Sequence, residues 1–169
     1  YSYALVDVSR FMDATESVRE RIAADFCADL LPFSQMACAS PHVIFWVGNN
    51  PDEARTAAET FDHMVSKRIQ RLGRNEDVGI ASRRHIDAFE LAANVPSRVR
   101  LGLNITTAFV ERVADIDRQI RGGGFIVHTC IDDISKLCEF ANDGDQTLTF
   151  WGFDDQTVRH LALRLGAMG

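Results

Sequence analysis

The chain has 169 residues, a mass of 18.9 kDa and a net charge of −6, with 46% apolar and 25% charged residues. That length suffices for one domain with a real core, the composition is that of an ordinary globular protein, and no apolar run reaches the roughly 20 residues that would span a bilayer. The acidic balance excludes a protein that coats a nucleic acid duplex by charge alone. Asp7 and Arg10 interrupt the only apolar stretch near the N-terminus, so no secretory signal is read there and a cytoplasmic location is expected. The first residue is Tyr1 and not Met, as expected of a piece of a longer parent.

In chain order, a strand is predicted near Tyr3–Val8, followed by a helix from about Ser17. Ser17 and Glu20 stand at capping-box spacing, Val18, Ile22, Phe26 and Leu30 recur every fourth residue, and Pro32 ends the run. His42–Val47 is continuously apolar, as a strand covered on both faces must be. Asn50, Pro51 and Glu53 then mark a helix start, the apolar stripe Ala54, Ala57, Phe61, Val65, Ile69 and Leu72 follows, and Gly73 suits the stop. A short helix through Ile86, Phe89 and Ala93 ends at Pro96, and the alternation of Val99, Leu101, Leu103 and Ile105 reads as a half-buried or edge strand. A helix is predicted from about Thr107, with Phe109, Val113, Ile116 and Ile120 inward and Gly122–Gly124 as its stop. Phe125–Cys130 is a strand, Ile134, Leu137 and Cys138 lie on a helix, Thr147–Trp151 is a strand, and a last helix carries Val158, Leu161 and Leu165 to Gly166. Repeated strand-to-helix units predict a single α/β domain over 1–169: a three-layer sandwich with a mainly parallel sheet of about five strands.

Ligands of parallel sheets bind at the carboxyl ends of the strands. Here that edge carries Asp7, Asn49, Asp132, Asp133, Asp154 and Asp155. Carboxylates brought together repel one another unless a cation is present, and hard oxygen ligands suit Mg²⁺ or Mn²⁺, which activate water for phosphodiester hydrolysis. The competing reading makes each Asp a helix cap, favourable because the first N–H groups of a helix lack partners. That reading is strong for Asp132 and Asp154, which immediately precede helices, and weaker for Asp7.

Residues 67–100 hold eight basic side chains, Arg68, Arg71, Arg83 and Arg84 among them, against four acidic ones. Such a segment either contacts phosphates or forms a solvated helix face. Four cysteines without a CxxC pair read as buried free thiols in a reducing compartment. His128 and His160 read as structural, and no GxGxxG, GxxxxGK[ST], HExxH or GxSxG motif occurs. Asn49-Asn50-Pro51, at a helix start, reads as a cap or a phosphate contact.

Three elements together, Ala4-Leu-Val-Asp7, the strand–Asp–helix run from Val127 to Leu137, and Leu148 to Gly166 with Gly152 and Asp154-Asp155, resemble the PIN-like nucleases of the NYN group. The resemblance covers about a third of the chain and implies divalent-metal cleavage of RNA. The first strand lacks the Asn of the family's Asp-x-x-Asn, and Phe153 stands where the late motif has its first Asp. On that resemblance the expected function is a Mg²⁺- or Mn²⁺-dependent phosphodiesterase acting on single-stranded RNA. Asp7, Asp133 and Asp155 would be catalytic and metal-binding, with Asp154 a further ligand and Asp132 in support. Arg68, Arg71, Arg83 and Arg84 would position substrate. The alternative expectation is a non-catalytic α/β module that binds a protein partner, a nucleotide or its own copy as a homo-oligomer.

Overall fold

The structure is a computed structural model that describes residues 1–73 and 77–167. Arg74 and Glu76, counted in the basic segment, lie outside the described residues. The parallel strands β1 (Ser2–Asp7), β2 (Val43–Val47), β4 (Thr106–Val110), β5 (Phe125–Ile131) and β6 (Thr147–Trp151), with the antiparallel edge strand β3 (Ser97–Arg100), form one six-stranded sheet in the order β3-β4-β5-β2-β1-β6. The mainly parallel sheet is therefore as expected, with a sixth strand where about five were predicted.

Alternating side chains divide between two cores. Ala4, Val6, Ile44, Trp46 and Ile126 face α1 (Val8–Asp13), α2 (Glu16–Leu30) and α3 (Pro51–Arg71). Tyr3, Leu5, Val43, Phe45 and Val127 face α4 (Val78–Asn94), the single turn α5 (Leu137–Phe140) and α6 (Asp155–Gly166). Side chains on a strand alternate between faces, so a strand apolar throughout is stable only when helices cover both. Phe11, Phe26, Trp46 and Phe61 meet edge-to-face at centroid separations of 5.1–6.0 Å in the first core.

One predicted element changes type. Thr106–Val110 is a buried strand rather than the start of a helix, and Val113–Asp115 makes only a 3-10 turn. Thr106, Thr107 and Val110 are β-branched and all five residues are buried, so pairing with β5 outweighs the helical spacing of Phe109, Val113 and Ile116. Near the N-terminus a helix begins at Val8, directly after β1, and the next is capped by Thr15, not Ser17. The helix predicted through Leu137 shrinks to a 3-10 turn, Ile134–Lys136, and one α-turn.

Trp46 Nε1 donates to His128 Nδ1 at 3.0 Å, so that nitrogen accepts and Nε2 carries the proton. Nε2 then donates to Asp62 Oδ1 at 3.0 Å, and Thr107 Oγ1 donates to Asp62 Oδ2 at 2.8 Å. This chain ties β2, β5, β4 and α3 through buried polar atoms. Among the described residues no helix is long and apolar enough to cross a membrane. Phe61→Ala is expected to lower stability by about 3–5 kcal/mol, the usual loss for an emptied aromatic site in a packed core, measured as a shifted urea midpoint with unchanged slope.

Candidate functional site

The carboxyl edge does not assemble the predicted acidic centre. In the strand order, β2 lies between β1 and β5, so Asp132 and Asp133 are offset from Asp7 by two ladder spacings, about 10 Å. Three of the acids are also occupied locally. Asp7 Oδ1 accepts from Arg10 N at 2.8 Å, Asp133 Oδ1 from Ser135 N at 2.7 Å, and Asp154 Oδ1 from Thr157 N at 2.7 Å. Those hydrogen bonds hold the carboxyls of Asp133 and Asp154 below the ordinary carboxylate range, chiefly through Ser135 and Thr157. Asp155 follows in the first turn of α6, where a negative charge is favourable. Among the described residues, no group of three His, Cys, Asp or Glu side chains is placed to hold a metal ion. The expectation of Mg²⁺ or Mn²⁺ is thereby corrected.

The arginines expected to position substrate are dispersed as well. Arg68 and Arg71 lie on α3, with Arg71 3.8 Å from Glu20. Arg83 pairs with Asp87 at 2.8 Å on α4, while Arg84 is only 1% exposed and turned inward. A guanidinium sealed in the core cannot meet a nucleic acid backbone.

The opposite, amino-terminal edge holds the unusual chemistry. Three loops there lead into neighbouring strands: 31–42 into β2, 101–105 into β4 and 118–124 into β5. In the first, Phe33, Ser34 and Gln35 are consecutive residues with φ of 50, 54 and 68°, a left-handed conformation that costs each non-glycine residue of order 1 kcal/mol or more. Strained backbone of this kind collects at functional sites. Cys38 follows three residues later.

The backbone around Cys38 is pinned while its side chain is exposed. Ser2 Oγ donates to the Cys38 carbonyl at 2.6 Å, Ser40 N donates to Ala37 O at 3.0 Å, and Ser40 Oγ donates to Asp29 O at 2.7 Å. The other cysteines differ. Cys27 and Cys138 are buried, and desolvation pushes the Cys27 thiol up to about 11. Cys130 is half-buried, donates to Gly48 O at 3.3 Å, and is raised by burial and then by Asp132. The sequence reading made all four buried thiols; the exposed Cys38 and the half-buried Cys130 correct it. Its exposure follows from the left-handed loop, which leaves no periodicity to read.

The comparisons bear on the fold. No family model matches this chain, and no curated protein matches it. Solved structures do match. They include γ-glutamyl-γ-aminobutyraldehyde dehydrogenase from Burkholderia cenocepacia, with a TM-score of 0.62, 13% identity, and coverage of 97% of this chain and 36% of that one. Aldehyde dehydrogenase from Bacillus cereus matches with a TM-score of 0.61, 13% identity, and coverage of 97% and 35%. Indole-3-acetaldehyde dehydrogenase complexed with NAD⁺ matches with a TM-score of 0.61, 13% identity, and coverage of 97% and 36%. The chain thus spans about a third of the length of these structures, and at such identity the likeness shows the α/β fold alone. The matched structures are aldehyde dehydrogenases rather than nucleases, which together with the dispersed acids overturns the expectation of a metal-dependent phosphodiesterase acting on RNA.

Two outcomes are expected from the capped carboxylates. Millimolar Mn²⁺ should leave the melting temperature unchanged, because the described residues assemble no native site to which it would couple. The folded Asp133 and Asp154 are depressed below their unfolded values, so their stabilisation is present above the unfolded carboxylate range near pH 4 and is lost as pH falls on through their lower folded values. Asp133→Asn with Asp154→Asn should therefore flatten the fall in melting temperature between neutral and strongly acid pH, as followed by circular dichroism.

Proposed function

We propose that this chain is the thiol-bearing α/β domain of an aldehyde-handling oxidoreductase, with Cys38 as the nucleophile. The observation that carries the reading is that aldehyde and semialdehyde dehydrogenase structures match 97% of the chain while the chain covers 35–37% of them. The setting of Cys38 supplies the chemistry. A thiolate is intrinsically the most nucleophilic side chain available near neutral pH, and Cys38 is the exposed thiol among the four.

The step assigned to this chain is addition. The Cys38 sulfur forms a bond to the carbonyl carbon, the C=O π pair moves onto oxygen, and the thiol proton ends on that oxygen through solvent. The product is a hemithioacetal, whose carbon has become tetrahedral. A dinucleotide supplies the hydride acceptor for oxidising such an adduct.

The residues of this chain do not suit that cofactor at the carboxyl edge. A pyrophosphate favours free N–H groups and a glycine-rich turn. Here α1, α3 and α6 have caps filled by Asp7, Asn50 and Asp154, and Asp52, Glu53 and Asp155 crowd the first turns of α3 and α6. No glycine-rich phosphate loop follows any strand. The dinucleotide would be held by another part of the protein, and this domain would present the thiol. Four free cysteines, one of them exposed, fit a reducing compartment such as the cytoplasm.

Alkylation with iodoacetamide, read site by site by mass spectrometry, tests the assignment. Cys38 should label ahead of Cys27, Cys130 and Cys138. Propionaldehyde without any dinucleotide should protect it at lower concentration than it protects the same cysteine in a free peptide of residues 33–41. Protection no better than in the peptide would remove the reading.

A further inference from the structure

We infer that the cavity between α3 and the outer strands β3 and β4 is a binding site for a small di- or tricarboxylate, held by Arg55 and Arg98. None of its lining residues belongs to the amino-edge loops, and nothing in its chemistry depends on Cys38.

Two matching faces build the cavity. On α3, Arg55, Glu59 and Asp62 stand at i, i+4 and i+7, which places them on one side of the helix. The sheet meets them with a row of its own. Arg98 on β3 is the register partner of Phe109 on β4, and Phe109 is the partner of His128 on β5. Arg100 is likewise the partner of Thr107. Residues two apart on a strand share a face, so Arg98 and Arg100 lie on the side where Thr107 and His128 bond to Asp62. Because α3 packs on β2 and β5, a space of about 220 Å³ is left between it and the outer pair of strands.

The floor of this space is complete without a ligand. Asp62, Thr107 and His128 are buried and bond to one another, so they hold their positions unaided. The walls are not complete. The Arg55 side chain is only 25% exposed, yet its ion-pair partner among the described residues, Asp52, is 80% exposed. A guanidinium so far withdrawn from water needs an answering charge, and a partner lying in solvent supplies it weakly. Across the cavity, Arg100 pairs with Glu59 at 3.1 Å, both side chains about half exposed. Arg98 has no side-chain hydrogen bond or ion pair among the described residues. Three guanidiniums therefore line the space with two carboxylates, one of them already engaged in the floor.

That arrangement selects the class of ligand. A guanidinium offers paired N–H donors that match a carboxylate. Arg55 comes from the helix wall and Arg98 from the strand wall, so together they suit two carboxylates of one molecule. Ala58, Val99 and Phe109 supply apolar surface between them, which favours a carbon skeleton over a fully hydrated inorganic anion.

Citrate is the probe, titrated calorimetrically into the whole chain beside inorganic phosphate, at one ionic strength held with NaCl. Heat is read rather than melting temperature, because citrate stabilises folded proteins generally by exclusion from their surfaces. Wild type should give a saturable heat with citrate and bind phosphate more weakly. Arg55→Gln and Arg98→Gln should each weaken citrate roughly tenfold or more, the usual worth of one charged hydrogen bond. Arg71→Gln removes a cation of α3 that does not line the cavity, and should bind citrate as wild type does. Circular dichroism checks the fold of each variant. If Arg55→Gln does not fold, Arg98→Gln decides, since its exposed side chain has no partner to lose. The inference is overturned by no saturable heat in wild type, by unchanged citrate binding in folded Arg98→Gln, or by an equal loss in Arg71→Gln. Phosphate bound as tightly as citrate also overturns it, because charge alone would then be the attraction.

Discussion

A parallel sheet covered by helices on both faces leaves its two edges as the places where polar chemistry can reach solvent. Trp46, Phe45, Leu5 and Ile44 are buried to within 1% of complete exclusion, and each extra apolar side chain held this way adds about 1.5–3 kcal/mol over an exposed one. The sheet interior is thus committed to packing. Even its polar members, His128, Asp62 and Thr107, answer one another rather than solvent. The function of the domain depends on which edge remains available.

The two edges are finished in opposite ways. At the carboxyl edge each of α1, α3 and α6 begins within a few residues of its strand, and its free N–H groups are met at once by the chain's own Asp or Asn. Gly152 at φ +92° lets the β6 turn approach Asp7 so closely that a Cβ there would stand 2.7 Å from the Asp7 Cβ. Negative caps and close turns leave little welcome for an anion. At the amino edge the connections are longer, their backbone is strained, and their polar groups are answered by buried side chains from elsewhere in the chain. That contrast, more than any single residue, directs the functional reading to Cys38.

The sequence was most informative where local forces act alone. The apolar run of β2, the start of α3 at Asn50-Pro51 and the cap at Asp154 were legible because strand burial and helix capping depend on neighbours within a few positions. Asp7 was misjudged by the same logic, since β1 passes into α1 without the expected spacer. Thr106–Val110 was misread because Phe109, Val113 and Ile116 share a helical spacing by coincidence, and only pairing with β5 decides between the two states. The acidic centre was inferred from strand ends taken as neighbours, when strand order places β2 between two of them.

By itself, then, the sequence determined the α/β class, the parallel strands and the helix caps at Asn50 and Asp154, because each follows from periodicity and from the needs of unpaired N–H groups close by in the chain. Tertiary structure alone decided the strand order, and with it the separation of Asp7 from Asp133. It also decided that Arg84 points inward, that Gln35 reaches Phe125 across 90 positions of chain, and that Cys38 stands exposed. No local pattern encodes these choices. A guanidinium or an amide in the core is stable only where distant backbone carbonyls happen to converge on it, and that convergence exists only in the assembled sheet.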